Sequence, residues 1–246
     1  MLWYNSQFPP PVPGRVIGEA SVDSLVGAGA PRMVKKMCGA EMKFFALLRE
    51  PAERMHSNFL MRLRFLGRVK MAGGSWRPAS RVSFHTWAVA EVEAYRRASR
   101  KLGMEGWERA PNALSLDTIL FLPAENAVYE SMYSLHLARW FSVFPRSHFQ
   151  ISFSDRFFRN PAETLRSAYD FLGVCRDCVD LDSITAVSYN SRQQNNRSGV
   201  AILPQHSMTP ATREVLMRFF IPFNQHLEAL LDEPLPTSWF SSQEAS

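Results

Sequence analysis

The stretch that most constrains the fold is KFFALLREPAERMHSN, residues 43–58, where an apolar run gives way abruptly to a charged helical pattern. Phe44 to Leu48 are all apolar, so a strand here has no polar face, as in a parallel sheet covered on both sides. Arg49 and Glu50 end the run, and Pro51 suits the first position of a helix, where its missing N–H is no loss. Met55, Phe59, Leu63 and Leu66 then recur along one helical stripe. In parallel α/β sheets, ligands sit beyond the carboxyl ends of the strands, where the next helices begin. Arg49 is placed at such an end, Ser57 follows eight positions later, and the helix between them brings free N–H groups and a positive dipole end. A fixed cation beside a hydroxyl suits a phosphate. From spacing alone, a solvated arginine after a strand and a serine on a polar helix face account for the same residues.

The same grammar recurs along the chain. RVIGEAS (15–21) and FQISF (149–153) read as strands, and PRMVKKM (31–37) as a short helix. A long amphipathic helix is expected from Phe84 to Leu102, with Trp87, Val89, Val92 and Tyr95 inward. Another is expected from Val128 to Phe144, with Met132, Leu135, Leu137, Trp140 and Phe141 on its apolar face. Asn160, Pro161 and Gly173 punctuate a helix as cap, first turn and stop, and Thr209 and Pro210 open a closing helix kinked at Pro222. MAGGSWRPAS, GMEGWERAPNALS and SYNSRQQNNRSGVAILPQ read as loops. Strands alternating with helices imply one three-layer α/β domain over 1–246, with a mainly parallel sheet.

A hydrophobic share of 46% over 246 residues supplies an ample core and excludes a disordered chain. The net charge of +5 favours anionic partners, and the bias to arginine (Lys35, Lys36, Lys43, Lys70 and Lys101 are the lysines) favours bidentate oxyanion contacts. The arginines are scattered without a basic-aromatic motif, so nucleic acid is not an expected partner. Of Cys38, Cys175 and Cys178, the CRDC pair has metal-type spacing but no second pair, so no metal site is expected. No apolar run is long enough to span a membrane, and the N-terminal stretch lacks the pattern of a secretory signal. His56 adjoins Ser57, yet a lone histidine on a helix face is more often structural, and His136 and His206 are read the same way.

KFFALLREPAERMHSNF resembles the segment of PAPS-dependent carbohydrate sulfotransferases (the Golgi heparan and chondroitin type) that holds the 3′-phosphate of 3′-phosphoadenosine 5′-phosphosulfate, PAPS. WYNSQFPP with RVIGEASVDSL, ESMYSLHLARWFSVFP, ISFSDRFFRNPAETLRSAYDFLGV and MTPATREVLMRFFIPFNQHLEALL resemble further segments of that family in the same order. The last is most similar to the GalNAc 4-sulfate 6-O-sulfotransferase branch. The resemblance implies a P-loop-like sulfotransferase fold, PAPS as co-substrate without a metal, a glycosaminoglycan-like carbohydrate acceptor and the Golgi lumen. It assigns cofactor binding to Arg49 and Ser57, with Arg197, Ser198 and Gly199 in a later loop, and substrate binding to Glu19 and Ser21.

The departures are specific. Val22 and Ser24 stand where the family has Pro and Tyr, and no Lys-x-Gly-Thr-Thr loop for the phosphosulfate occurs in the chain. The resemblance therefore implies a domain incomplete at its N-terminus, lacking the first strand and that loop, with the catalytic groups and any membrane anchor upstream of Met1. A cofactor- or glycan-binding relic without turnover is the alternative, and an Arg-rich nucleic-acid binder the more distant one.

Overall fold

The computed structural model describes residues 6–10, 12–13, 15–20, 24–101, 127–175, 180–185 and 199–241. The chain divides into two compact units, residues 1–48 with 139–188 and residues 49–138 with 189–246.

The first unit is built on two parallel strands, β1 (Phe44–Leu48) and β4 (Phe149–Phe153), with Phe44 opposite Phe149 and Leu48 opposite Phe153. Phe44 stacks on Phe149 and meets Trp140 and Phe144 edge-on, at ring-centroid separations of 4.7, 5.0 and 4.8 Å. Such contacts add to simple area burial and cover one face. On the other face, the Gln150 side chain donates to Ser167 Oγ at 2.6 Å and Lys43 Nζ to Phe171 O at 2.6 Å. Both acceptors lie on a helix running from Pro161 to Leu172, which therefore lies over the β4 side of that face. That helix is capped as expected: Asn160 accepts from Glu163 N, and Gly173 ends it at φ 75°. Three further helices, α1 (Ala30–Cys38), one at Ser154–Arg159 and a short one at Leu181–Thr185, belong to this unit among the described residues.

Two expectations fail here. Arg15–Ala20 is irregular and exposed rather than a strand, and the side chains of Val16 and Ile17 are left exposed. The strand β1 is not covered on both faces, since Phe45 and Leu47 are exposed. Cys175 takes part in a disulfide, Cys38 is a free exposed thiol, and Cys178 lies outside the described residues.

In the second unit, α2 (Pro51–Leu66) buries Met55, Phe59 and Leu63, three turns of the expected stripe, while Leu66 is exposed. Gly67 ends α2 in the left-handed region at φ 65° and leads into a hairpin of β2 (Arg68–Lys70) and β3 (Trp76–Pro78). The expected MAGGSWRPAS loop is therefore largely the tip and return strand of this hairpin. Gly73 and Gly74, at φ 129° and 88°, turn the chain where a side chain would be strained. Next comes α3 (Phe84–Lys101), with Trp87, Val92 and Tyr95 buried as expected and Val89 half-buried.

The expected Val128–Phe144 helix is two helices, α4 (Ala127–Glu130) and α5 (Tyr133–Phe141), split at Ser131–Met132. Ser131 Oγ donates back to Ala127 O at 2.8 Å, a local bond that competes with helix continuation. Numbering the helices of the first unit in chain order, Ser154–Arg159 is α6 and Pro161–Leu172 is α7, with a short α8 at Leu181–Thr185. The closing helix α9 (Pro210–Leu231) starts at Thr209, whose hydroxyl accepts from Thr212 N, and runs through Pro222. Its Phe219, Phe220 and Phe223 are buried, as is Tyr95 of α3, which meets Phe219 edge-on at 6.0 Å.

A buried carboxyl in α3 carries a pH signature. Glu91 Oε2 accepts from Ala127 N at 3.2 Å. Burial pushes its carboxyl from 4.5 up to about 7, against the opposing pull of that hydrogen bond and of Arg62. A raised value favours the protonated fold, so this contribution is complete below pH 4.5 and lost as pH rises through about 7. Its size is about 3 kcal/mol. Glu91→Gln keeps an acceptor for Ala127 and removes the charge. In thermal denaturation the variant is expected to melt roughly 5–10 °C above the native protein at pH 8, with the gap closing by pH 4.5. A gap independent of pH would contradict the assignment.

Candidate functional site

Arg49 leaves β1 with its backbone carbonyl already committed: the Tyr133 hydroxyl of α5 donates to it at 2.8 Å. Burial pushes the Tyr133 phenol up to about 12, so it stays protonated and keeps donating. The guanidinium folds onto α2, where Nη2 donates to Glu53 Oε2 at 3.2 Å, with 36% and 31% of the two side chains exposed. Glu53 and Ser57 lie four residues apart on α2 and share a face. Arg49 therefore folds onto the side of the helix that carries the exposed Ser57 hydroxyl.

The start of α2 differs from the expectation of free N–H groups. The Glu50 carboxylate caps it, accepting from Ala52 N at 2.9 Å and Glu53 N at 2.7 Å. An acidic side chain in this position satisfies two otherwise unpaired donors and complements the helix dipole, so no bare helix end awaits an anion. Glu50 is buried, and burial raises its carboxyl despite the two N–H donors and Arg213. Arg213, in the first turn of α9, reaches both acids: Nη1 is 3.8 Å from Glu50 Oε2, and Nη2 donates to Glu53 Oε1. Two guanidinium groups and two carboxyl groups are thus interleaved at the exit of β1.

The other residues singled out from the sequence divide clearly. Arg54, at i, i+3 and i, i+4 spacing from Ser57 and Asn58 on α2, is committed elsewhere. It bonds Glu130 Oε2 at 2.7 Å and Ser131 Oγ at 3.2 Å, fixing α4 to α2. Asn58 accepts from Arg62 Nε at 2.8 Å. Gly199 belongs to the second unit and has φ 68°, which glycine alone adopts readily. Arg197, Ser198 and Ser21 lie outside the described residues. Glu19 is exposed in the irregular stretch of the first unit.

The three histidines meet backbone carbonyls, as structural histidines do. His56 pairs with His206 O at 2.8 Å, His136 with Tyr129 O at 2.8 Å, and His206 with Ala79 O at 3.0 Å.

Sequence reasoning passed over Glu53, Arg213 and Tyr133. Arg213 did carry a signal: a cation in the first turn of a helix opposes the dipole and calls for an anionic partner. Nothing local marked Tyr133, whose partner is remote in sequence.

The internal partner of Arg49 is a weak one. A part-exposed pair at i, i+4 contributes about 0.5 kcal/mol. A charged hydrogen bond to a phosphate is worth about 1.5–3 kcal/mol.

No family model matches the chain. The chain is 24% identical over 180 residues to heparan sulfate glucosamine 3-O-sulfotransferase 6 of Homo sapiens, which covers 73% of this chain and 42% of that protein. The chain thus spans less than half the length of this curated relative. Its structure is similar to the crystal structure of a sulfotransferase from Alicyclobacillus acidocaldarius, with TM-score 0.60 and 22% identity over 98% of this chain and 74% of that one. The fold is a sulfotransferase fold of the α/β, P-loop-like class, and the sequence likeness to a sulfotransferase extends over most of the chain.

Tyr133→Phe tests how the exit of β1 is held. It removes one buried donor and leaves the Arg49 carbonyl unsatisfied, so chemical denaturation is expected to report a loss of about 1 kcal/mol. An unchanged midpoint would mean that the hydroxyl does not restrain Arg49.

Proposed function

We propose that the chain binds PAPS through its 3′-phosphate and belongs to a sulfotransferase that passes the sulfuryl group to a carbohydrate hydroxyl. The observation that carries this reading is the Arg49 guanidinium: part-exposed, at a strand exit, backbone-fixed by Tyr133, folded onto the helix face of Ser57. Arg49 would hold two phosphate oxygens and Ser57 Oγ would donate to a third. Bound PAPS supplies the sulfuryl group and leaves as adenosine 3′,5′-bisphosphate. Of the later loop, Gly199 lies in the same unit as Arg49, and Arg197 and Ser198 are assigned to the cofactor with it on the family resemblance alone.

The finer parts of the reading rest on that resemblance. They are Glu19 and Ser21 as acceptor contacts, a glycosaminoglycan-like acceptor, the GalNAc 4-sulfate 6-O-sulfotransferase branch, the Golgi lumen, and one domain over 1–246. The similarity to a heparan sulfate sulfotransferase supports an acidic glycan acceptor without favouring that branch. A second reading, cofactor binding without turnover, has its own observation: none of the five lysines lies in a Lys-x-Gly-Thr-Thr loop. Incubation with PAPS and desulfated heparan or chondroitin separates the two. Sulfated product supports the enzyme; saturable binding with no product supports the second reading.

Arg49→Ala is expected to weaken adenosine 3′,5′-bisphosphate binding by one to two decades in calorimetry, and Ser57→Ala by about 3–10-fold. Binding by Arg49→Ala at the native affinity would sink the site.

A further inference from the structure

We propose that Glu53 is a resident anion on Arg49 that an incoming phosphate displaces, and that Arg213 is the positioning residue that keeps hold of the displaced carboxylate. This rests on Arg49 being the phosphate-holding residue. The two oxygens of Glu53 are divided between the two guanidinium groups: Oε2 takes Arg49 at 3.2 Å, and Oε1 takes Arg213. One contact can open while the other persists. Exposure says which one opens, because the Arg49 side chain is 36% exposed and that of Arg213 only 12%. Arg213 is also held from its other side by Glu50 Oε2 at 3.8 Å, and Glu50 is itself fixed by the N–H groups of Ala52 and Glu53. The inner arm of the bridge is anchored and the outer arm is free to move.

Charge decides what each residue does when the phosphate arrives. With Arg213 in place, the freed Glu53 keeps a cation and its field at the phosphate is largely cancelled. Without Arg213, Glu53 has Arg49 alone, competes for it directly, and repels the dianion beside it. Glu53 therefore lowers affinity and Arg213 offsets that effect. Arg213 needs no contact with the ligand to do so, and a merely structural tie between α9 and α2 would not behave this way.

The test is calorimetric titration of adenosine 3′,5′-bisphosphate into the full chain and its Glu53→Gln, Arg213→Gln and doubly substituted variants, with Arg49→Ala as reference. Arg213→Gln is expected to weaken binding about 10-fold, Glu53→Gln to tighten it up to about 3-fold, and the double variant to return within about 3-fold of native. A double variant no tighter than Arg213→Gln, or a Glu53→Gln protein weakened 10-fold or more, overturns the inference. Should Arg213→Gln fail to fold, Arg213→Lys keeps a cation on Glu53 and is expected to bind within about 3-fold of native; a larger loss counts against the proposal. If the native chain does not bind, or Arg49→Ala binds equally well, the phosphate site itself fails. If Arg49→Ala weakens binding and the double variant does not recover, only the role of Glu53 and Arg213 fails.

Discussion

The Glu50 carboxylate at the start of α2 is the interaction on which the rest of the site depends. It lies at the point where β1 must become a helix, and it supplies acceptors for the N–H groups of Ala52 and Glu53. Buried carboxylates are costly unless bonded; the two N–H donors and Arg213 nearby offset part of that cost, and burial still raises the carboxyl. With that cap in place the first turn of α2 is fixed, and Glu53 is presented to Arg49 on one side and Arg213 on the other. The cap also occupies the helix end, which leaves side chains rather than backbone N–H groups to meet an anion.

The parts legible in the sequence were those set by local pattern. The KFFALL run, Pro51, the Met55–Phe59–Leu63 stripe, the Asn160 and Thr209 caps and Gly173 each encode an element without outside help, and each is observed. The parts that were not legible depend on partners remote in sequence. Val16 and Ile17 look like a strand, but a strand needs a neighbour to pair with. The 128–144 pattern looks like one helix, but Ser131 bonds back to Ala127 and α4 is tied to α2 through Arg54 and Glu130. Nothing in the local pattern marks Glu91, whose buried carboxyl accepts from the remote Ala127 N.

The candidate site divides in the same way. Arg49 and Ser57 could be picked out because a strand end, a proline and a fixed spacing lie within one short stretch. Their surroundings could not, since Tyr133 and Arg213 come from α5 and α9. Those surroundings change the meaning of Arg49. It is not a bare cation but one arm of a bridge through Glu53 to Arg213. The fold is that of a sulfotransferase, and the sequence is similar to another.

The most direct measurement of the proposed phosphate site compares two ligands that differ by one group. Adenosine 3′,5′-bisphosphate and adenosine 5′-monophosphate, titrated separately into the native chain and into Arg49→Ala, isolate the 3′-phosphate. The native chain is expected to prefer the bisphosphate by about 10-fold or more, and Arg49→Ala to bind the two alike. Equal native affinities, or a preference that survives without Arg49, would contradict it.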